Sequence, residues 1–430
     1  MPNVACQATN TFLSMKTFLI LSSCVFLPFS EGLFQASMGL LTLSLCFTHK
    51  HLWKTWAQIP SMRHFFYGGV AMCLFGAVGC FLAGAWPRLS GMHTCVWAPV
   101  ALVGVAVFNM PSHALRMTLR VLTVCVCVGG TCGLAQVLYG TFPGEHLLLS
   151  LTQKGDVVRP QMLAGYGLHR AATGLLWNRL KWSACLTWFL MLYTALSSQK
   201  TLRRHALLIS AYTVLCLYAT YAKANILAAA AGCVLALGLY ALPALQNHLA
   251  KAALFLQTAA CSTVLYAATH TQTNMPPPSG SWAIRPWIWS YVINMWQQQA
   301  WFGIGLGRFK DTAPFYSPSA HPAHTHNAHN SFLHTWAETG LLGACAWTYA
   351  FVCVCLIAQK AWSTHLSSNT QKTLRLMATT HLATVMVSGW VHHVTVHPTT
   401  TILAWVSMGV LMAAACPQKP SEDHTPLQHV

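Results

Sequence analysis

Residues 321–343, HPAHTHNAHNSFLHTWAETGLLG, decide how the rest of the chain is read. Five histidines (His321, His324, His326, His329 and His334) fall within fourteen positions, and the run leads straight into an apolar segment. It closes the longest polar interval of an otherwise apolar sequence. The remainder therefore reads as a scaffold that holds this interval at a membrane surface.

Composition supports that reading. Of 430 residues, 55% are hydrophobic and only 7% charged, with a mean hydropathy of +0.47, against roughly 25% charged in soluble domains. A bilayer core about 30 Å thick takes about 20 apolar residues per helix. Such stretches recur near 17–30, 32–48, 65–85, 94–110, 119–139, 182–197, 206–221, 224–242, 252–270, 343–358, 376–390 and 398–415. The expected fold is all-α: one polytopic membrane domain over residues 1–430 with about twelve transmembrane helices. Most cysteines, such as Cys125, Cys127, Cys353 and Cys355, lie inside apolar runs and no CxxC pair occurs, so they read as packing residues. Lys16 alone precedes the first apolar run, which favours a retained helix over a cleaved leader.

The net charge of +17 comes from 24 Lys and Arg against 7 acids. These basics sit between apolar spans, which points to an anionic membrane surface or an anionic lipid-linked substrate rather than to nucleic acid. One set of short loops is basic and free of acids (Lys50, Lys54, Arg63; Arg116, Arg120; Lys200, Arg203, Arg204; Lys251; Lys360, Lys372, Arg375). The positive-inside rule assigns it, and with it both termini, to the cytoplasm. Two long intervals, 140–181 and 271–342, then lie on the far side. That side also carries Arg159, Arg170, Arg179, Lys181, Lys223, Arg285, Arg308 and Lys310, against the usual bias, and an anionic ligand there is the simplest reason.

Within the second interval, MPPPSGS breaks the chain and RPWIWSYVINMWQQQAWF reads as a helix lying at the membrane interface, with Trp287, Tyr291 and Trp301 on one side. Gly303, Gly305 and Gly307 then turn the chain. No strand precedes them, so they are no dinucleotide fingerprint.

The histidines admit two chemistries. His321, His324, His326 and His329 have spacings that suit zinc or copper, although no cysteine joins them and Asp311 and Glu338 are not at metal-motif spacing. Alternatively one imidazole serves as a base toward a hydroxyl. His329 is best placed for that, directly before Asn330 at the start of a helix expected over 331–340, although simple capping also accounts for the pair. Arg285 and Arg170 suit a pyrophosphate, each charge-assisted contact being worth about 1.5–3 kcal/mol. Arg179 and Lys181 read as interfacial anchors. Lys223 fits snorkelling as well as function, and Glu338 reads as a structural carboxylate at the mouth of the next span. No serine elbow and no usefully spaced carboxylate pair appears.

From Arg285 to Gly343 the sequence resembles the signature region of the O-antigen ligase and polymerase superfamily, bacterial inner-membrane enzymes that move glycans from undecaprenyl pyrophosphate. The family's arginine, tryptophan, GxGxG and phenylalanine correspond to Arg285, Trp289, Gly303, Gly305, Gly307 and Phe309. Its later histidine, asparagine, aromatic and leucine correspond to His329, Asn330, Phe332 and Leu333, followed by Ala337, Glu338, Gly340 and the LLG that ends at Gly343. A weaker upstream element matches through Arg170, Thr173, Gly174 and Asn178. Where the family often has a serine and an arginine, this chain has Ala222 and Lys223, which keeps the charge and loses the bidentate fork.

The resemblance implies a metal-independent, inverting transfer at the periplasmic face, with no cofactor. His329 would act on the acceptor hydroxyl, while Arg285, Arg170, His326, Asn330, Arg159, Lys223, Arg308 and Glu338 would form the binding set. The implied partners are an undecaprenyl-pyrophosphate-linked glycan donor, a lipid A core or other glycan acceptor, and membrane lipids, with no nucleic acid. Polymerase and protein O-oligosaccharyltransferase share the signature. Only PQKPSEDHTPLQHV follows the last span, which favours ligase over the protein-modifying members. A rival of another class, a His-rich metal-binding transporter, would place its working polar residues at mid-depth inside the spans; here they are expected at span ends and in loops.

Overall fold

Every apolar stretch expected to span falls on a helix. The computed structural model describes residues 19–27, 30–48, 59–86, 96–141, 171–176, 178–271, 284–316, 326–392 and 397–416, and the regular structure among them is helical. After the helical residues 19–27 come α1 (Glu31–Thr48), α2 (Pro60–Leu82), α3 (Ala101–Phe108), α4 (Ser112–Tyr139), α5 (Arg179–Leu196), α6 (Arg203–Ala219) and α7 (Lys223–Ala241). They are followed by α8 (Leu249–Thr269), α9 (Ile284–Gln298), α10 (Phe309–Tyr316), α11 (Ser331–Ser363), α12 (Asn369–Val391) and α13 (Pro398–Ala415).

Among the described residues, six helices are long and apolar enough to cross a membrane: α2, α4, α7, α8, α11 and α13. α12, one of the expected spans, falls outside the six because of its hydropathy. Its interior carries Thr379, Thr380, His381, Thr384 and Ser388, all buried, so polar groups that turn inward lower its hydropathy. Their hydroxyls are satisfied at low cost by carbonyls of the preceding turn, as in Thr379 to Arg375 O and Thr380 to Leu376 O, both 2.9 Å.

α13 is the central helix. All of it from Thr399 to Ala415 is buried except Ala404, and it packs on α3, α12, α11 and α5. The outer helices turn large apolar side chains outward instead, among them Phe47, Phe81, Leu208, Val234 and Phe255. So wide an apolar surface suits lipid rather than water.

A second, smaller core holds α9, expected as an interfacial helix, and buries most of its apolar residues against protein. Trp287, Ile288, Trp289, Tyr291 and Val292 are buried together with Val264 and Ala268 of α8 and with Ile304, Phe309, Ala328, Leu333 and Ala337. Apolar residues run almost all round this helix, and only Asn294, Gln297 and Gln298 make a narrow exposed polar face, so burial wins. Trp287 and Tyr291 do share a side, edge to face at 5.6 Å; Trp301 lies past the helix end and is 62% exposed.

The expected helix over 331–340 and the span after it form one rod broken at Gly340 (φ 66°, ψ −166°). The break frees backbone groups that an intact helix would pair with one another. The chain around the glycine turn takes them all. Ile304 N–H donates to Ala337 O (2.9 Å) and Gly305 N–H to Glu338 O (3.0 Å), while Leu341 N–H donates to Ala300 O (2.8 Å) and Leu342 N–H to Trp301 O (3.3 Å). Backbone thus lies directly on backbone. A Cβ at Gly303 would sit 2.5 Å from Ala337 O, and one at Gly340 would sit 2.3 Å from Trp301 C; both residues also have positive φ, so only glycine fits.

Candidate active site

Helix ends converge at one end of the bundle. Asn225, near the start of α7, donates from Nδ2 to Ser183 Oγ of α5, and its Oδ1 accepts from Ser388 Oγ of α12 at 2.7 Å. At the start of α11, Asn330 Nδ2 donates to Trp390 O (2.6 Å) and Ser331 Oγ to His392 O (3.3 Å). Between these ends and the start of α13 opens a small cleft of about 20 Å³, lined by Asn225, Ser388, His392, His397, Thr384 and His381.

His329 stands beside this cleft in the left-handed region, at φ 48°. A non-glycine residue there costs about 1–3 kcal/mol and persists only where its surroundings enforce it. Here they do so from several directions. Its own N–H donates to Asn327 Oδ1 (2.8 Å). The preceding residue, Ala328, accepts at its carbonyl from Trp289 Nε1 (3.0 Å) and donates from its N–H to His334 Nδ1 (3.4 Å). The following residue, Asn330, caps α11 by accepting from Leu333 N–H (2.9 Å), a bond worth about 1 kcal/mol.

His334, to which the sequence assigned no task, is buried and stacked on Phe309 with ring centroids 4.7 Å apart. Because Nδ1 accepts from Ala328, Nε2 carries the proton and faces Glu338 Oε1 at 3.3 Å. The same oxygen accepts from Phe309 N–H (3.1 Å). Glu338 therefore holds the glycine turn and, through His334, the Ala328 peptide.

Positive groups cluster around His392. Its ring centroid lies 5.9 Å from that of His329 and 5.8 Å from that of His397. Burial, helped by the charges of His397, His329, Arg285 and Arg179, pushes the His392 imidazole down to about 3. Arg285 is itself largely buried, and burial lowers it to about 10, which leaves it charged at neutral pH. Among the described residues, no carboxylate acts on His392.

Of the residues singled out in the sequence, His329, Asn330 and Arg285 come together here. Arg179, read in the sequence as an interfacial anchor, also acts on His392. Lys223 is exposed at the first position of α7, after a second left-handed residue, Tyr221 (φ 51°), and two positions before Asn225. Arg308 sits at the glycine turn, where it and Glu338 both act on Cys80 of α2. His326 is exposed. Arg159, Arg170, His321 and His324 lie outside the described residues, so the metal set proposed from the histidine run is not assembled among those described; within them no group of three His, Cys, Asp or Glu is placed to hold a metal.

Sequence reasoning missed His392 and His397. The signal was present: the expected topology puts the short interval between the last two spans on the same side as 271–342, and it begins and ends with these histidines. It also missed the mid-span polar residues. His381, about 16 Å of helix below His392, bonds Ser407 Oγ through Nδ1 at 2.9 Å, so polar groups are not confined to span ends and loops.

Residues 207–348 match a family model described as O-antigen ligase. No curated protein matches the chain. The matched segment runs from α6 past the break in α11 and takes in Lys223, Arg285, the glycine turn, His329 and Glu338. It agrees with a membrane glycosyltransferase of ligase or polymerase type. Over residues 207–348, about a third of the chain, the sequence is thus similar to the O-antigen ligase family.

Proposed function

We propose that the protein transfers a glycan from an undecaprenyl-pyrophosphate-linked donor to an acceptor hydroxyl, in the manner of an O-antigen ligase acting on lipid A core. One observation carries the reading. His329 is held in a strained backbone conformation within a cluster whose charged members, Arg285 and Arg179, are cationic, as an anionic leaving group requires. His329 takes the proton of the acceptor hydroxyl. The oxygen attacks the anomeric carbon, the bond from that carbon to the pyrophosphate oxygen breaks with inversion, and the pyrophosphate leaves with the electron pair, its charge held by the arginines. Asn330 fixes the start of α11 so that His329 cannot drift. Arg170, Arg159, Lys223, His326 and Arg308 complete the binding set.

In this reading the chain crosses a bacterial inner membrane about twelve times, with both termini cytoplasmic and with intervals 140–181 and 271–342 on the periplasmic side. The short basic loops free of acids on the other side support the orientation, and the basic residues that run against it on the periplasmic side suit an anionic donor. The test is purified protein supplied with an undecaprenyl-pyrophosphate glycan and, separately, lipid A core, a second donor glycan or an acceptor protein. Sugar appearing on lipid A core is the expected result. Sugar only on the second donor or on protein would make the chain a polymerase or an oligosaccharyltransferase, and no transfer to any acceptor would overturn the reading.

A further inference from the structure

We propose that His392 is a proton-switched ligand of the pyrophosphate: neutral in the empty site, it takes up one proton from solvent as the anion binds, and then donates a hydrogen bond to a phosphoryl oxygen. The inference rests on the donor reading above and adds a residue and a proton to it.

The geometry carries it. His392 lines the cleft at the meeting of α12 and α13, and its Nε2 is buried with no hydrogen-bond partner among the described residues. A buried polar nitrogen without a partner is costly, and native structures keep one where something else is to fill the place. What surrounds it specifies the occupant. The charged and titratable groups that act on it come from each neighbouring element: Arg179 at the start of α5, Arg285 at the start of α9, His329 ahead of α11 and His397 ahead of α13. On its own helix His381 is a distant neighbour, engaged with Ser407, and Lys223 of α7 and Glu338 of α11 are not among the groups acting on it. Among the described residues, the groups that act on His392 are thus all basic.

Such an arrangement responds to one kind of ligand. In the empty site, burial and neighbouring positive charge keep the ring neutral. A pyrophosphate placed among the two arginines cancels those charges and replaces them with negative oxygens, so the same position favours the imidazolium. The neutral ring carries a proton on one nitrogen and the imidazolium on both, so the second N–H becomes a donor only when the anion is present. A third arginine would bind anions always. A histidine here binds the charged donor and relaxes when the site empties, and by linkage its affinity for pyrophosphate rises as pH falls.

The test is titration calorimetry of the purified full-length protein with inorganic pyrophosphate, at one pH near 6.5, in two buffers of different ionisation enthalpy. The slope between buffers gives the protons taken up on binding. The His392→Asn variant, which keeps a polar group without a titratable one, is run beside it, and the ligand's own ionisation cancels in the difference. The expected result is an uptake by the wild type that exceeds the variant's by about one proton, with affinity weakened several-fold in the variant. Equal proton uptake in the two proteins, with binding intact, overturns the role of His392 and leaves the donor reading standing. Absence of pyrophosphate binding to the wild type overturns both. Should the His392→Asn variant not fold, His397→Gln is compared with the wild type in its place: a proton uptake that survives this change assigns it away from His397, and one that is lost overturns the assignment to His392.

Discussion

Glu338 and His334 form one buried pair on α11, Oε1 to Nε2 at 3.3 Å, one helical turn apart. Because Oε1 also receives the N–H of Phe309 and His334 receives that of Ala328, a single carboxylate ties the glycine turn to the loop that carries His329. Its neighbours are therefore left unsatisfied if it is removed. Glu338→Ala is expected to cost about 1–3 kcal/mol, while Glu338→Gln, which keeps an acceptor for Phe309, costs less. Thermal unfolding of both variants in detergent checks the order; equal stability of wild type and Glu338→Ala would refute the structural role.

His329→Ala is expected to abolish glycan transfer without loss of protein from the membrane. A companion variant separates chemistry from backbone. Glycine adopts positive φ without strain, so His329→Gly should be at least as well folded as His329→Ala while equally inactive. Near-normal transfer by either would sink the proposal that this imidazole removes the hydroxyl proton.

Helix positions, the break at Gly340 before the apolar segment 343–358 and the capping of α11 by Asn330 were legible in the sequence, because each depends on local pattern: apolar runs, a glycine beside a carboxylate, an asparagine ahead of a helix. What depended on distant partners was not. α9 looked interfacial because Trp287, Tyr291 and Trp301 stand out in the sequence, whereas its fate was set by residues of α8 and α11 that bury both sides. His334 looked idle because its partners, Ala328, Phe309 and Glu338, meet only once the glycine turn has folded back. His392 and His397 were passed over because they lie more than sixty positions beyond His329 and bear no local motif.

Arg285→Lys is expected to be nearly as damaging as Arg285→Ala. A guanidinium offers a planar fork that fits two phosphoryl oxygens, and it stays charged where burial would neutralise an ammonium more readily. Initial rates at saturating and limiting donor should both fall in the lysine variant. Full activity there would argue against bidentate pyrophosphate binding.

The glycine turn makes a purely steric prediction. Gly303→Ala places a methyl group against the Ala337 carbonyl and the Gly340 amide, each 2.5 Å away, and both are backbone that cannot swing aside. The cost is expected to be several kcal/mol, beyond the usual range of about 0.5–3 kcal/mol for single substitutions. Gly39→Ala, whose added Cβ meets nothing within 4 Å, is the matched control. Comparable yield and unfolding temperature for the two variants would contradict the backbone contact.

Stability should also fall in mild acid, with His392 responsible for part of the loss. In the unfolded chain its imidazole titrates near the ordinary histidine value of about 6.5; in the folded protein burial and the surrounding basic groups hold it down to about 3. Between those values the unfolded state binds a proton that the folded state does not, so stability is complete above about pH 6.5 and declines as pH falls toward 3. Unfolding temperatures recorded from pH 7.5 to 5 should drop in the wild type and drop less in His392→Asn. Inorganic pyrophosphate should offset the decline in the wild type, since an anion in the cluster lets the folded state take up the same proton. A pH profile identical in wild type and variant would show that His392 is not buried as a neutral ring among positive charges.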